Sequence, residues 1–217
     1  MKIFGVDPGQ PELDLISEIA SLLRKGAIIA YPTDTFYALG GDGFNPESTH
    51  KIRILKGRGG AKPFPYIIDN PQRLAQWGIS LGPPAAALAD VFWPGPVSLV
   101  VSGPTILPAN ALDSRKTLCV RVPDNRIARA LAGSISGLVI ATSANPSGCA
   151  PARTAHEALE HFRGEIDAIV DGGPSASEAP STIVDVTGQN AIILREGAVP
   201  SDRIKAVIAR AERKENF

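Results

Sequence analysis

Apolar and polar positions along the chain follow two periods. Over residues 11–25, Leu15, Ile16, Ile19, Leu22 and Leu23 recur on one face at helical spacing. Glu12 and Asp14 fall in the first turn and Arg24 and Lys25 in the last, where they suit the helix dipole, and Gly26 supplies a stop. The apolar run Ala27-Ile28-Ile29-Ala30 follows at once and halts at Pro32, which predicts a buried strand over 27–31 ending in a turn. Asn45 as cap and Pro46 at the first helical position predict a second helix over 46–55, with Ile52 and Leu55 inward. The same reading predicts strands over 2–6, 64–68, 97–102, 118–122, 138–142, 168–170, 182–186 and 191–194. It predicts helices over 71–76, 84–91, 125–132, 154–162 and 201–213. Pro65 removes a ladder donor from the run 64–68 and argues for an edge or irregular strand. Residues 92–96 read as a rigid turn, 103–116 as a loop, Gly188-Gln189-Asn190 as a hairpin turn, and 172–181 as a mobile loop. Strands joined partly by hairpins and partly by helices imply an α/β fold, a twisted mixed sheet flanked by helices. One domain is expected over 1–217, with a core at roughly 11–200 and a closing helix at 201–213.

Composition narrows the function classes. A chain of 217 residues, 44% of them hydrophobic, buries a sizeable core. Lys+Arg and Asp+Glu both number 22, so net charge gives no reason to expect a nucleic-acid or membrane-surface binder. An anion site must come from local clustering. Cys119 and Cys149 form neither a disulfide framework nor a zinc motif, and a reduced, cytoplasmic protein is the simpler expectation. The first residues carry Asp, Pro and Glu where a signal peptide needs an apolar run, and no window is apolar enough to span a membrane.

Local clustering is present. Lys56, Arg58 and Lys62 lie in a glycine-spaced segment that can close around phosphates or carboxylates. Thr33, Thr35 and Tyr37 follow strand 27–31, Ser143, Asn145 and Ser147 follow strand 138–142, and Arg195 follows strand 191–194. In open α/β sheets, ligands collect outside strand ends. The set is rich in cations and hydroxyl or amide donors and poor in bases. That suits phosphate binding and transfer by positioning and electrostatics. His50, His156 and His161 all sit in predicted helices, away from any serine cluster, which argues against a serine hydrolase. Taken singly, Thr-Asp-Thr also reads as a turn, Lys56 and Arg58 as a solvated helix end, and Ser-Ala-Asn-Pro-Ser-Gly as a turn. Arg121 in an apolar strand is harder to dismiss, because a buried guanidinium needs water, a carboxylate or a ligand. Asp7, Asp171 and Asp185 have no metal-motif spacing.

The ordered set of motifs resembles the YrdC/Sua5 family in its short, single-domain form. The set is YPTDTFYALG at 31–40, Lys56-Gly57-Arg58 with Lys62-Pro63, WPGPVSLVV at 93–101, VRVPDN at 120–125, SANPSG at 143–148, and STIVDV with ILREGAV within 181–199. The resemblance implies a concave, positively charged cavity and synthesis of L-threonylcarbamoyladenylate and pyrophosphate from L-threonine, bicarbonate and ATP. Partner transferases then modify adenosine 37 of tRNA, and weak tRNA contact is a further implied interaction. By motif, Lys56 and Arg58 are the implied catalytic cations. Arg58, Lys62, Thr117, Ser143, Asn145 and Arg195 are the implied ATP contacts, and Thr35, Arg121 and Ser181 the threonine contacts. No nucleophilic side chain and no protein metal site is implied; Mg2+ is expected on the phosphates. The chain departs from the family pattern at Ala38, often glycine, and at Ile67, where many synthases have histidine. A YciO-type paralogue and a non-catalytic RNA-binding module are the alternatives. A carbamoyl-transfer module like that of hydrogenase-maturation proteins is a third, without their zinc-finger and acylphosphatase regions.

Overall fold

The computed structural model describes residues 1–57, 64–103, 106–107, 111–135 and 137–215. In chain order the elements are β1 (Lys2–Gly5), α1 (Leu13–Arg24), β2 (Ile29–Tyr31), β3 (Ala38–Gly40), α2 (Pro46–Leu55), β4 (Pro65–Ile67), α3 (Gln72–Gln76), α4 (Pro83–Phe92), β5 (Val97–Ser102) and β6 (Thr117–Arg121). They continue with α5 (Arg126–Ser134), β7 (Val139–Ile140), β8 (Thr142–Ser143), α6 (Ala155–His161), β9 (Ala168–Asp171), β10 (Thr182–Asp185), β11 (Ile192–Arg195) and α7 (Ser201–Glu215). The caps behave as their residue types dictate. The Asn45 side chain accepts from the Glu47 amide, Asn125 from Ala128 and Thr154 from Glu157, each relieving one unpaired amide of a helix start. Among the described residues no helix is long and apolar enough to cross a membrane.

The strands form two mixed sheets rather than one. The first has the order β1-β9-β2-β3-β8 and the second β11-β10-β5-β6-β4-β7. The predicted strand over 138–142 is the seam. Val139 and Ile140 pair with β4, whereas Thr142 and Ser143 pair with β3. Between them the Ala141 amide donates to the Pro65 carbonyl at 2.8 Å. Pro65 therefore does not mark an edge: β4 lies inside the second sheet, between β6 and β7, with proline at its first position, where a missing donor is tolerated. Strand β3 falls where the sequence suggested only a turn. Its close pairing with β2 needs Gly40, since a Cβ there would lie 2.4 Å from the Tyr31 ring and 2.7 Å from the Ile140 carbonyl.

Helices and sheets enclose two apolar clusters. The larger takes Leu99, Val101, Leu118, Val120 and Val184 from the second sheet, and the smaller takes Ile29, Tyr31, Ile127, Leu131 and Ile67. The segment 172–181 is irregular but tied down. The Tyr37 hydroxyl donates to the Gly173 carbonyl at 2.8 Å, and the Ser175 amide donates to Arg153 at the same distance. Burial pushes the Tyr37 phenol up to about 12, so it keeps the proton it donates.

Candidate functional site

A strand shows alternate residues to opposite faces, and the second sheet uses this to separate core from site. On β6, Leu118 and Val120 enter the larger core while Thr117, Cys119 and Arg121 face the other way. Ser98 and Val100 of β5 join them, with Ser181 and Ile183 from the start of β10. This face floors a cavity of about 640 Å3, and Thr33, Thr35, Ser143 and Arg195 are among its walls. The site thus lies over a sheet face, with the Thr33–Thr35 and Ser143–Asn145 segments and Arg195 at strand ends. From Arg121 to Thr117 the floor extends about 13 Å at the rise of an extended strand.

At the Arg121 end, donors converge. Arg121 Nη2 donates to Thr35 Oγ1 at 3.1 Å and Thr33 Oγ1 at 3.3 Å, and Nη1 donates to the Gly95 carbonyl at 3.3 Å and to Asp34 in a buried ion pair. Thr33 gives its own proton to the Phe36 carbonyl at 2.7 Å. In its 3.0 Å contact with Thr35, the donor is therefore Thr35, whose proton can swing to a ligand oxygen. Across the floor, Ser181 Oγ accepts from Ser98 at 3.0 Å and from Arg195 Nη2 at 3.2 Å. Its proton is left to be donated into the cavity. Gly197 backs this residue; a Cβ there would lie 2.2 Å from the Pro180 carbonyl and 2.6 Å from the Ser181 carbonyl carbon.

The other end carries Asp113, Arg115 and Thr117. Arg115 donates to Asp185 at 2.8 Å, and Asp113 accepts from the Thr117 amide at 2.7 Å. Burial pushes both carboxyls up, but hydrogen bonds and Arg115 outweigh it, and both end below the ordinary carboxylate range. Between the ends lies Cys119, whose thiol burial pushes up to about 12, so it stays protonated and unreactive at neutral pH. Burial lowers Arg195, with Arg121 adding to the effect. On the side wall, Lys56 is 1% exposed. Its ammonium donates to the Ser143 carbonyl at 2.6 Å, to Asn145 Oδ1 at 3.2 Å and to the Asn145 carbonyl. Asn145 Nδ2 donates to the Pro146 and Cys149 carbonyls. Lysine and asparagine together fix the Ser143–Cys149 turn from behind, and Ser143 faces the cavity.

A family model described as Sua5/YciO/YrdC, telomere recombination, matches residues 21–197. The chain belongs to the Sua5/YciO/YrdC family. It is 37% identical to the threonylcarbamoyl-AMP synthase of Thiobacillus denitrificans over 76% of this chain and 87% of that one. It is 33% identical to that of Pyrococcus abyssi over 87% of this chain, and spans 56% of the length of that longer relative. The structure of Pyrococcus abyssi Sua5 complexed with L-threonine superposes with a TM-score of 0.87 at 32% identity, covering 96% of this chain and 61% of that one. Escherichia coli YciO superposes with a TM-score of 0.83 at 26% identity, covering 92% and 98%.

Within this family member, the fold brings Thr35, Arg121, Ser181, Arg195, Ser143, Asn145 and Thr117 to one cavity. Lys56 sits behind the Ser143–Asn145 turn rather than among the lining residues. Arg58 and Lys62 lie outside the described residues. Ile67 is fully buried in the smaller core cluster and does not line the cavity. Sequence reasoning missed Ser98 and Arg115, and saw Asp34 only as the carboxylate of the cluster after strand 27–31, with no role of its own. For Ser98 the available signal was its place two residues from Val100 on a predicted strand, and for Asp34 its flanking by two threonines.

Proposed function

We propose that this chain makes L-threonylcarbamoyladenylate and pyrophosphate from L-threonine, bicarbonate and ATP. The observation that carries this reading is the single elongated cavity floored by β6. At one end Arg121, Thr35 and Ser181 offer a guanidinium and two hydroxyl donors. At the other lies Thr117, and the Ser143 turn forms the side wall between them. One cavity then holds an amino acid and a nucleotide in line, as a mixed anhydride of the two requires. The L-threonine named for the Pyrococcus abyssi Sua5 complex supports threonine as the amino acid.

The chain's own residues act by alignment. Arg121 and Ser181 hold the threonine carboxylate, and Thr35 turns its proton to the same substrate. The threonine amine condenses with bicarbonate, releasing water, or adds to CO2, releasing a proton, and the carbamate oxygen then attacks the α-phosphorus while pyrophosphate leaves. Ser143 and Thr117 contact the nucleotide, Arg195 supports Ser181 and faces the phosphates, and Asn145 and Lys56 hold the turn that presents Ser143. Arg58 and Lys62 neutralise the triphosphate, as the family resemblance implies. No side chain serves as nucleophile; proximity and charge neutralisation lower the barrier. The lining carboxylate, Asp113, is engaged by Thr117 and Arg115; Mg2+ would be held through the substrate phosphates and would supply charge neutralisation there. The product passes to a transferase that modifies adenosine 37 of tRNA, with tRNA itself contacting this chain weakly, and the reaction takes place in the cytoplasm.

The test is pyrophosphate release by purified protein given ATP, bicarbonate and threonine. A threonine-dependent rate supports the reading. ATP binding by folded protein with no threonine dependence sinks it and favours a YciO-type activity on another substrate.

A further inference from the structure

Arg115 lines the cavity beside Thr117, and an unusual turn fixes its place. Lys116 adopts a φ of 57°, the left-handed region that a lysine seldom enters. Asp113 holds this turn, its Oδ1 accepting from the Arg115 amide at 3.0 Å and the Thr117 amide at 2.7 Å. From there the Arg115 side chain reaches across the sheet. Its Nη1 donates to Asp185 Oδ2 on β10 at 2.8 Å, and β5 lies between β10 and β6. Asp185 stands opposite Val100 and on the same face as Ile183, so the guanidinium crosses at the level of Val100. Nε donates to Asp113 at 3.4 Å, and carboxylates on two sides hold the guanidinium plane. The surface beside it is apolar. Val100, Ile183 and Leu194, on the neighbouring strands β5, β10 and β11, all line the cavity, and Leu194 is 53% exposed. Two carboxylates and one guanidinium leave the cluster with one negative charge in excess, which repels a polyphosphate but not a neutral ring. A held guanidinium plane next to an aliphatic floor complements a flat heteroaromatic group.

We infer that Arg115, with Val100, Ile183 and Leu194, seats the nucleobase of ATP, so that Arg115 positions the nucleotide through its base and not through its phosphates. The inference rests on the assignment of this end of the cavity to ATP. The aliphatic side chains exclude water from the ring, and the guanidinium plane stacks on it. Leu194 and Arg195 are consecutive on β11, and both line the cavity. A base over Leu194 therefore sets the phosphates beside Arg195, on the way to the amino acid.

The experiment compares ATP with inorganic tripolyphosphate, which has the phosphates without the nucleoside. Binding is measured calorimetrically in wild type, Arg115→Lys and Leu194→Ser, with threonine binding and denaturant midpoints as checks on folding. Arg115→Lys keeps a positive charge opposite Asp185 but has no plane to stack. Wild type is expected to bind ATP more tightly than tripolyphosphate. In both variants ATP affinity is expected to fall about tenfold, the scale of a partly desolvated cation–π contact. Tripolyphosphate and threonine affinity stay as in wild type. Equal weakening of ATP and tripolyphosphate in Arg115→Lys overturns the inference, since Arg115 then meets the phosphates. ATP affinity unchanged in both variants overturns it too, because the base then sits elsewhere. If Arg115→Lys does not fold, Leu194→Ser decides, its side chain being exposed enough to replace without loss of the core: unchanged ATP affinity there overturns the inference. Wild type that binds threonine but neither ATP nor tripolyphosphate overturns the nucleotide reading of the cavity, and the base seat with it.

Discussion

Lys56 turns its charge inward. At 1% exposure a lysine is tolerated only where oxygens replace its water, and the Ser143–Asn145 turn supplies them. Removing the ammonium takes a donor from the Ser143 carbonyl and from both oxygens of Asn145. Lys56→Ala is therefore expected to lower unfolding stability by about 2–4 kcal/mol, together with activity, as read from denaturant midpoints beside turnover. Arg58→Ala, in a segment where glycines flank the cation, is expected to lower activity with little change in those midpoints. The contrast separates a residue that builds the wall from one proposed to meet the phosphates. If the two variants lose stability equally, the division is wrong. The residue types at both positions were legible in the sequence, but their different duties were not. A Lys-Gly-Arg triplet does not say which side chain turns back toward a turn almost ninety positions away, at about the separation of Lys56 from Ser143.

At the scale of elements, β6 divides its residues by parity. Val120 is fully buried in the larger core while its neighbours Cys119 and Arg121 line the cavity. Val120→Ala is expected to cost about 2 kcal/mol of stability with threonine KM nearly unchanged, by chemical denaturation and steady-state kinetics. A marked KM change at equal stability would refute the parity division. Local periodicity made most elements readable: the capped helix α2, strand β5, and the hairpin of β10 and β11 all stand where the pattern put them. What it could not show was partnership. The run 138–142 reads as one strand because its residues are uniformly apolar up to Thr142, yet ladder partners far away in sequence split it between two sheets. For the same reason Pro65 suggested an edge, although the strand it opens is internal. β3 escaped notice because three residues set between a hydroxyl cluster and glycines carry too little period to register.

For the molecule as a whole, charge is balanced in number and uneven in placement. Asp113 and Asp185 sit below the ordinary carboxylate range despite burial, held there by hydrogen bonds and Arg115. A depressed folded value means that their contribution to stability is present at neutral pH. It is lost as pH falls from about 4 down through those lowered values. Arg115→Gln is expected to be less stable than wild type at pH 7, with the gap closing by pH 3, in thermal melts across that range. A constant gap would show that Arg115 acts by packing rather than by charge. Only this global picture explains why the neutral net charge of the sequence was uninformative about the site. The cations that matter are gathered by strands and turns far apart in the chain, around a cavity whose opposing charges also pair with one another.

The floor of that cavity has a consequence for change. Its side chains stand on a hydrogen-bonded ladder whose geometry does not depend on them, and every second residue of β5 and β6 is held by the core. Thr117, Cys119, Ser98 and Val100 behave like keys on a fixed keyboard. Each can be exchanged for another shape or polarity without moving the ladder beneath it, with Ser98 alone among them also donating to Ser181. A library restricted to those positions should keep the parent's melting behaviour across most of its members while spreading widely in the ligands it accepts.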